Sequence, residues 1–219
     1  ENGKRAVDGI SFTLRKGEIL GIAGVEGNGQ TELVEAMTGM GGYTSGTIEI
    51  GGKDIQGSSV AAIRALKVAH IPEDRMTMGI APKLSLTENM IADKLSWKKF
   101  FKNGIINRKA VRSYGEEMVD QYQVLCKSQD VSIDSLSGGN IQKVVLAREL
   151  SGDPQVIIAD QPTRGVDVGA TEFIRKRLVE ARDAGNGVIL VTSDLNEVLN
   201  YSDRLLVMHR GKFNAHFTD

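Results

Sequence analysis

The sequence predicts an α/β fold: a mainly parallel sheet with a helical lobe inserted into it. Three observations carry this expectation. The apolar run Glu18–Ala23 passes through a glycine-rich turn straight into a helical pattern that begins at Gly29. Two further runs, Val156–Ala159 and Val188–Val191, are of strand length and apolar without alternation, as strands buried on both faces are. Helical patterns stand between the strands, singly at 171–184 and as a block over about 82–150. Strands alternating with helices build parallel sheets, because each crossover helix covers a sheet face.

In chain order, Val7–Leu14 alternates apolar and polar residues, the mark of a half-buried strand. Glu18–Ala23 is the first buried strand. In the helix after it, Leu33, Val34 and Met37, with Ala36 behind them, form one face, and Gly39 closes it. Thr47–Ile50, Gly51-Gly52 and Lys53–Ile55 read as a hairpin, and Val68–Ile71 as another short strand. The block at 82–150 holds the only tryptophan, Trp97, and a basic cluster of Lys98, Lys99 and Lys102, read as a solvated face. Val156–Ala159 ends in Asp160. Thr171–Ala184 is an amphipathic helix with Gly185 as its C-cap. Val188–Val191 is a second buried strand, and Leu205–Phe213 a hairpin turned at Arg210-Gly211-Lys212.

Composition narrows the function classes. Lys and Arg number 27 against 28 Asp and Glu, so no net field recruits nucleic acid or anionic membrane unspecifically. With 219 residues, 41% of them hydrophobic, the chain can bury a core. One cysteine, Cys126, permits no intrachain disulfide and fits a reducing compartment. No apolar stretch approaches the ~18 residues a bilayer span needs. His70, His209 and His216 lack metal-ligand spacing and, with Cys126, are expected to be structural. Lacking an initiator Met and a signal peptide, the sequence reads as a domain of a longer polypeptide.

The residues that carry chemistry fall into three groups. Gly24-Val25-Glu26-Gly27-Asn28-Gly29-Gln30-Thr31 has the spacing of a G-x-x-x-x-G-K-[ST] phosphate loop, with Gln30 where lysine belongs. The glycines let backbone N–H groups wrap phosphates at a helix N-terminus, and Thr31 is placed to hold Mg²⁺. Such turns also arise for structural reasons, so the loop alone decides little. Leu136-Ser137-Gly138-Gly139-Asn140-Ile141-Gln142-Lys143 precedes a helix running to Leu150. Ser137 can cap that helix while Gly138 and Gly139 expose N–H groups, making a second anion site. Third, Val156–Asp160 puts a carboxylate after a buried strand, where phosphate-loop NTPases hold Mg²⁺.

In this order and spacing the three groups resemble the nucleotide-binding domain of ATP-binding-cassette (ABC) transporters, over essentially the whole chain. The signature with Asn140, Gln142 and Lys143, the loop Gly24–Thr31 and the run Pro72-Glu73-Asp74-Arg75 are similar to importers of monosaccharides and nucleosides. The likeness is to the second cassette of their fused two-cassette ATPase subunits. The resemblance implies a P-loop NTPase (RecA-like) core with an N-terminal antiparallel β lobe and an inserted helical lobe. Residues 1–81 and 151–219 would form core and β lobe, and about 82–150 the helical lobe with the signature. It implies ATP and Mg²⁺ as ligands, the metal on Thr31 and Asp160, and a place on the cytoplasmic face of the membrane. Its implied partners are a second cassette, a transmembrane permease and, indirectly, a solute-binding protein; nucleic acid is not among them.

Against the family pattern several positions depart. Gln161 stands where the water-positioning glutamate follows the magnesium Asp, and an amide cannot accept a proton. Ser193 stands where a histidine contacts the γ-phosphate, and Glu73 replaces the phosphate-sensing glutamine, repelling phosphate unless it binds metal or turns away. No aromatic residue precedes Phe12 to stack on adenine; Lys4 or Arg5 lies nearest. Losing the lysine removes about 1.5–3 kcal/mol, roughly 10- to 150-fold in affinity, and losing the base about 10²–10⁴ in rate. The expectation is a cassette that binds weakly and hydrolyses poorly; the alternatives are an active ATPase that uses other residues and a soluble ABC protein outside transport. Its intact signature would complete a partner's ATP site in a head-to-tail pair, with Asp167 in the loop crossing the interface. The apolar stretch from Arg75 to Asn89 (Met76, Met78, Ile80, Leu84, Leu86) packs under the helical lobe or, edged by Asp74 and Arg75, receives a permease helix.

Overall fold

Strand β1 (Glu18–Ala23), all six residues buried, leads into helix α1 (Gln30–Thr38) as the apolar run and its glycines require. Hairpin strands β2 (Glu49–Ile50) and β3 (Lys53–Asp54) follow, then α2 (Val60–Ala65) and β4 (Val68–Ile71). After them come α3 (Leu86–Ile91), the short pair β5 (Phe101–Lys102) and β6 (Ile105–Ile106), α4 (Arg108–Gln121) and α5 (Gly138–Leu150). The chain ends in β7 (Val156–Asp160), α6 (Val168–Asp183), β8 (Gly187–Thr192), α7 (Leu195–Tyr201), β9 (Arg204–His209) and β10 (Lys212–Thr218). This is a computed structural model, and it describes residues 5–102 and 105–218.

Two compact units divide these residues: one holds those up to His70, Pro154–Gln161 and those from Arg177 onward, the other Ile71–Asp153 and Pro162–Lys176. The main sheet has the order β10-β9-β1-β8-β7-β4. Its pairs β1–β8, β1–β9 and β7–β8 are parallel, and β10 runs antiparallel to β9. The first unit's core packs one face of α1 (Leu33, Val34, Met37) with Ile22, Ile158, Ile189 and Val191 of the strands.

In the second unit, Leu86 and Met90 of α3, Ile133 in the turn before α5 and Leu146 of α5 are fully buried. Lys94, only 1% exposed, donates to Asp93 and to the Arg148 carbonyl near the end of α5, both at 2.7 Å. Burial pulls its pKa below 10.5. Lys98 and Lys99 of the basic cluster are exposed, and the Lys99 ammonium lies 4.6 Å from the centre of the Tyr114 ring and 4.9 Å from that of Trp97. The side chain of Lys102 lies outside the described residues.

The strand expected at Val7–Leu14 does not form. Val7, Ile10, Phe12 and Leu14 still pack on the core, so their alternation reports burial correctly. Gly9, however, adopts φ 63° and breaks the extended path, and the Asp8 N–H bonds the Gly211 carbonyl in a turn instead of a ladder. Helix α6 starts at Val168, three residues before the expected Thr171, because Asp167 caps it by accepting from the Ala170 N–H at 2.9 Å.

Candidate functional site

The register of the parallel strands brings the chemistry of the first unit to one edge. Ala23 of β1 lies opposite Thr192 of β8, and Asp160 of β7 opposite Val191. The next residues, Gly24, Gln161 and Ser193, therefore leave the sheet side by side at the strands' carboxyl ends, where open α/β sheets bind ligands.

The loop Gly24–Gly29 rises from β1 and turns into α1 at Gly29, whose φ of 109° and close approach to the Ala6 carbonyl and Met208 admit no side chain. Gln30, 9% exposed, folds back into this loop. Its Oε1 accepts from the Asn28 N–H at 3.2 Å and its Nε2 donates to the Val25 carbonyl at 3.1 Å. Asn28 is itself held, donating to the Val25 carbonyl at 2.7 Å and accepting from the Arg210 N–H at 2.8 Å. Val25 and Glu26 point outward, and Thr31 is exposed at the first turn of α1.

Gln161 and Ser193 bond to each other. The Gln161 amide donates to the Ser193 hydroxyl at 3.3 Å, and its carbonyl accepts from the Ser193 N–H at 3.3 Å. Gln161 holds φ 45°, a strained value for a residue with a Cβ, and its N–H is fixed to the Val191 carbonyl at 2.8 Å. Asp160 is buried at the end of β7. A hard cation takes oxygen donors and keeps several waters, so the Thr31 hydroxyl and Asp160 carboxylate have the right chemistry for Mg²⁺. The glycines Gly27 (φ 80°) and Gly29 suit a phosphate-wrapping loop, with one of its N–H groups held by Gln30.

A second group of site residues gathers in the other unit. Ser137 caps α5, accepting from the Asn140 N–H at 3.4 Å and from the Asn140 amide at 2.9 Å. Asn140 also accepts from the Leu125 N–H at 2.8 Å, and buried Gln142 donates to the Pro162 carbonyl at 2.9 Å. Glu73 is in an ion pair with Arg164. Arg164 was not foreseen, and only its opposite charge could have signalled it. Asp74 caps a single wide turn, Arg75–Gly79, and accepts from the Thr77 hydroxyl at 2.7 Å. That hydrogen bond, with those from the backbone of Thr77 and Met76, holds its carboxyl below 3.8. Arg75 reaches inward to two carbonyls, of Arg164 at 2.8 Å and Gly165 at 3.1 Å. Ile80 and Leu86 are core residues, while Met76, Met78 and Leu84 are exposed. Lys4 lies outside the described residues, and Arg5 pairs with Asp8 at 3.0 Å.

A strand, a glycine loop capping a helix, a signature helix and an Asp-ended strand together define a nucleotide-binding cassette. The ABC transporter family profile matches residues 7–164, and the chain belongs to that family. Among curated relatives it is 41% identical to the nucleoside import ATP-binding protein NupA of Lactococcus lactis, over 97% of this chain and 42% of that protein. It is 40% identical to the ribose import ATP-binding protein RbsA of Bacillus cereus, over 95% of this chain and 42% of that protein. The chain thus spans about two-fifths of the length of these relatives. Among solved structures, the dimeric ABC transporter cassette MJ0796 superposes with a TM-score of 0.83 at 20% identity, covering 97% of this chain and 90% of that one. A nucleotide-free ATP-binding cassette superposes at 0.81 with 24% identity, over 100% and 87%. Among the described residues no helix is long and apolar enough to cross a membrane.

Proposed function

We propose that this chain is one ATP-binding cassette of an importer for a small solute such as a sugar or nucleoside, and that its own ATP site is degenerate. It pairs head to tail with a second cassette, in the same polypeptide or as a dimer mate, and its Ser137, Gly138 and Gly139 complete the partner's ATP site. Asp167 sits in the loop that meets the partner. The pair docks under a transmembrane permease on the cytoplasmic face through about Glu73 to Asn89, and the permease in turn meets the solute-binding protein. Hydrolysis is then the work of the pair, and residues about 82–150 act as the helical lobe that carries the signature.

One observation carries the reading: the three substituted positions bond within the protein, Gln30 to its own loop and Gln161 and Ser193 to each other. Gln30 occupies a loop N–H, and Gln161 and Ser193 consume each other's polar atoms. None supplies a cation for phosphate or a base for water. Bound Mg²⁺, held by Thr31 and Asp160, would supply charge neutralisation for the β/γ-phosphates.

Calorimetry of Mg²⁺–ATP binding tests the degenerate site. The wild-type chain is expected to bind more weakly than micromolar, and Gln30→Lys to tighten binding by roughly 10- to 150-fold. Submicromolar wild-type binding, or steady turnover by the purified chain that a Thr31 or Asp160 variant abolishes, would overturn it. In the assembled transporter, replacing Ser137 and Gly138 is expected to abolish transport-linked ATPase activity; full activity in that variant refutes the head-to-tail role.

A further inference from the structure

Three segments of the second unit converge on one side chain. Arg75 stands in the turn after β4, and its guanidinium donates from Nη1 to the Arg164 carbonyl and from Nη2 to the Gly165 carbonyl, in the loop before α6. The same Nη2 lies where a side chain on Gly138 would begin: a Cβ built there meets it at 2.7 Å. A Cβ on Gly139 would meet Asp167 Oδ2 at 2.6 Å and the Ala170 Cβ at 2.8 Å. The two signature glycines are therefore glycines for a reason beyond exposed N–H groups. They let the start of α5 close onto Arg75 and onto the Arg164–Asp167 loop.

Arg75 gives up something to hold this place. Its Nε is buried and has no acceptor among the described residues, an omission that folded proteins rarely leave in place. Its planar fork reaches two consecutive carbonyls at once, which a lysine's point charge cannot do. Asp74, capping the turn beside it, fixes the backbone from which Arg75 reaches.

We infer that Arg75 is a positioning residue: it sets the start of the signature helix, Ser137–Gly139, against the Arg164–Asp167 loop. This rests on the proposed head-to-tail pairing, in which both segments face the partner's ATP. Arg75 touches no nucleotide; it acts through Gly138 and the loop. A misplacement of about 1 Å at such contacts can lower a rate by about 10²-fold. The loss falls on kcat, because the rest of the partner's site still binds ATP.

The test compares Arg75→Ala, Arg75→Lys, Gly138→Ala and the double variant Arg75→Ala/Gly138→Ala in the assembled transporter, with Ser137→Ala beside them. Arg75→Ala and Arg75→Lys are both expected to lower kcat about 10- to 100-fold with KM for ATP changed by less than about threefold. Gly138→Ala pushes the same guanidinium off its carbonyls, so the double variant should fall little below the worse single one. Hydrogen exchange of the 219-residue chain reads the clamp directly: Arg75→Lys should speed exchange at 138–140 and 164–167 together. Wild-type kcat in the Arg75 variants, strict additivity with Gly138→Ala, or unchanged exchange overturns the inference while Ser137→Ala still abolishes activity. Full activity in Ser137→Ala removes the pairing itself and the positioning role with it. A poorly folded Arg75→Ala leaves Arg75→Lys to decide.

Discussion

Gln30 makes the clearest case at the scale of a residue. Its amide replaces a lysine in sequence and fills the loop in space, so a phosphate must take the Asn28 N–H from it. Gln30→Ala should therefore bind Mg²⁺–ATP no more weakly than the wild type when measured by calorimetry. A tenfold loss would show instead that the amide is a phosphate ligand. The substitutions themselves were legible in the sequence, because each motif fixes its position by spacing. Their mutual bonding was not. Gln161 and Ser193 are 32 residues apart and meet only because β7 and β8 are neighbours in register. Glu73 and Arg164 are 91 apart and carry no pattern that pairs them.

Among the elements, the buried strands were readable because unbroken apolar runs of that length have few other uses. β4 matches its expected bounds, and the β2–β3 and β9–β10 turns fall where Gly51-Gly52 and Gly211 predict them. Helices α2 and α7, six and seven residues long, escaped notice because neither spans two full helical periods. Helix α3 owes its start to a reciprocal cap, Ser85 accepting from the Glu88 N–H while Glu88 accepts from that of Ser85. Ser85→Ala should lower stability by about 1 kcal/mol in urea denaturation. Lys94 fastens the segment after α3 to the end of α5. Lys94→Met keeps the volume but forfeits two hydrogen bonds, and a loss of about 1–3 kcal/mol is expected by the same measurement.

For the molecule as a whole, alkaline stability should carry the mark of the second unit. Burial raises the Tyr114 phenol from 10.0 to about 12, against a lowering hydrogen bond with Ser151. A phenol that ionises later in the folded chain favours folding below pH 10, and that contribution is lost as pH climbs toward 12. Lys94 acts with the opposite sign: its lowered pKa makes stability rise with pH up to 10.5. Urea midpoints across this range should fall less steeply for Tyr114→Phe and more steeply for Lys94→Met than for the wild type. The turn after β4 has a chemical consequence of another kind. Met76 and Met78, 42% and 51% exposed, stand on the stretch proposed to meet the permease. Oxidation would make each thioether a polar sulfoxide, which sulfoxide reductases can reverse. In the proposed importer, mild peroxide should then uncouple transport from hydrolysis before it harms nucleotide binding.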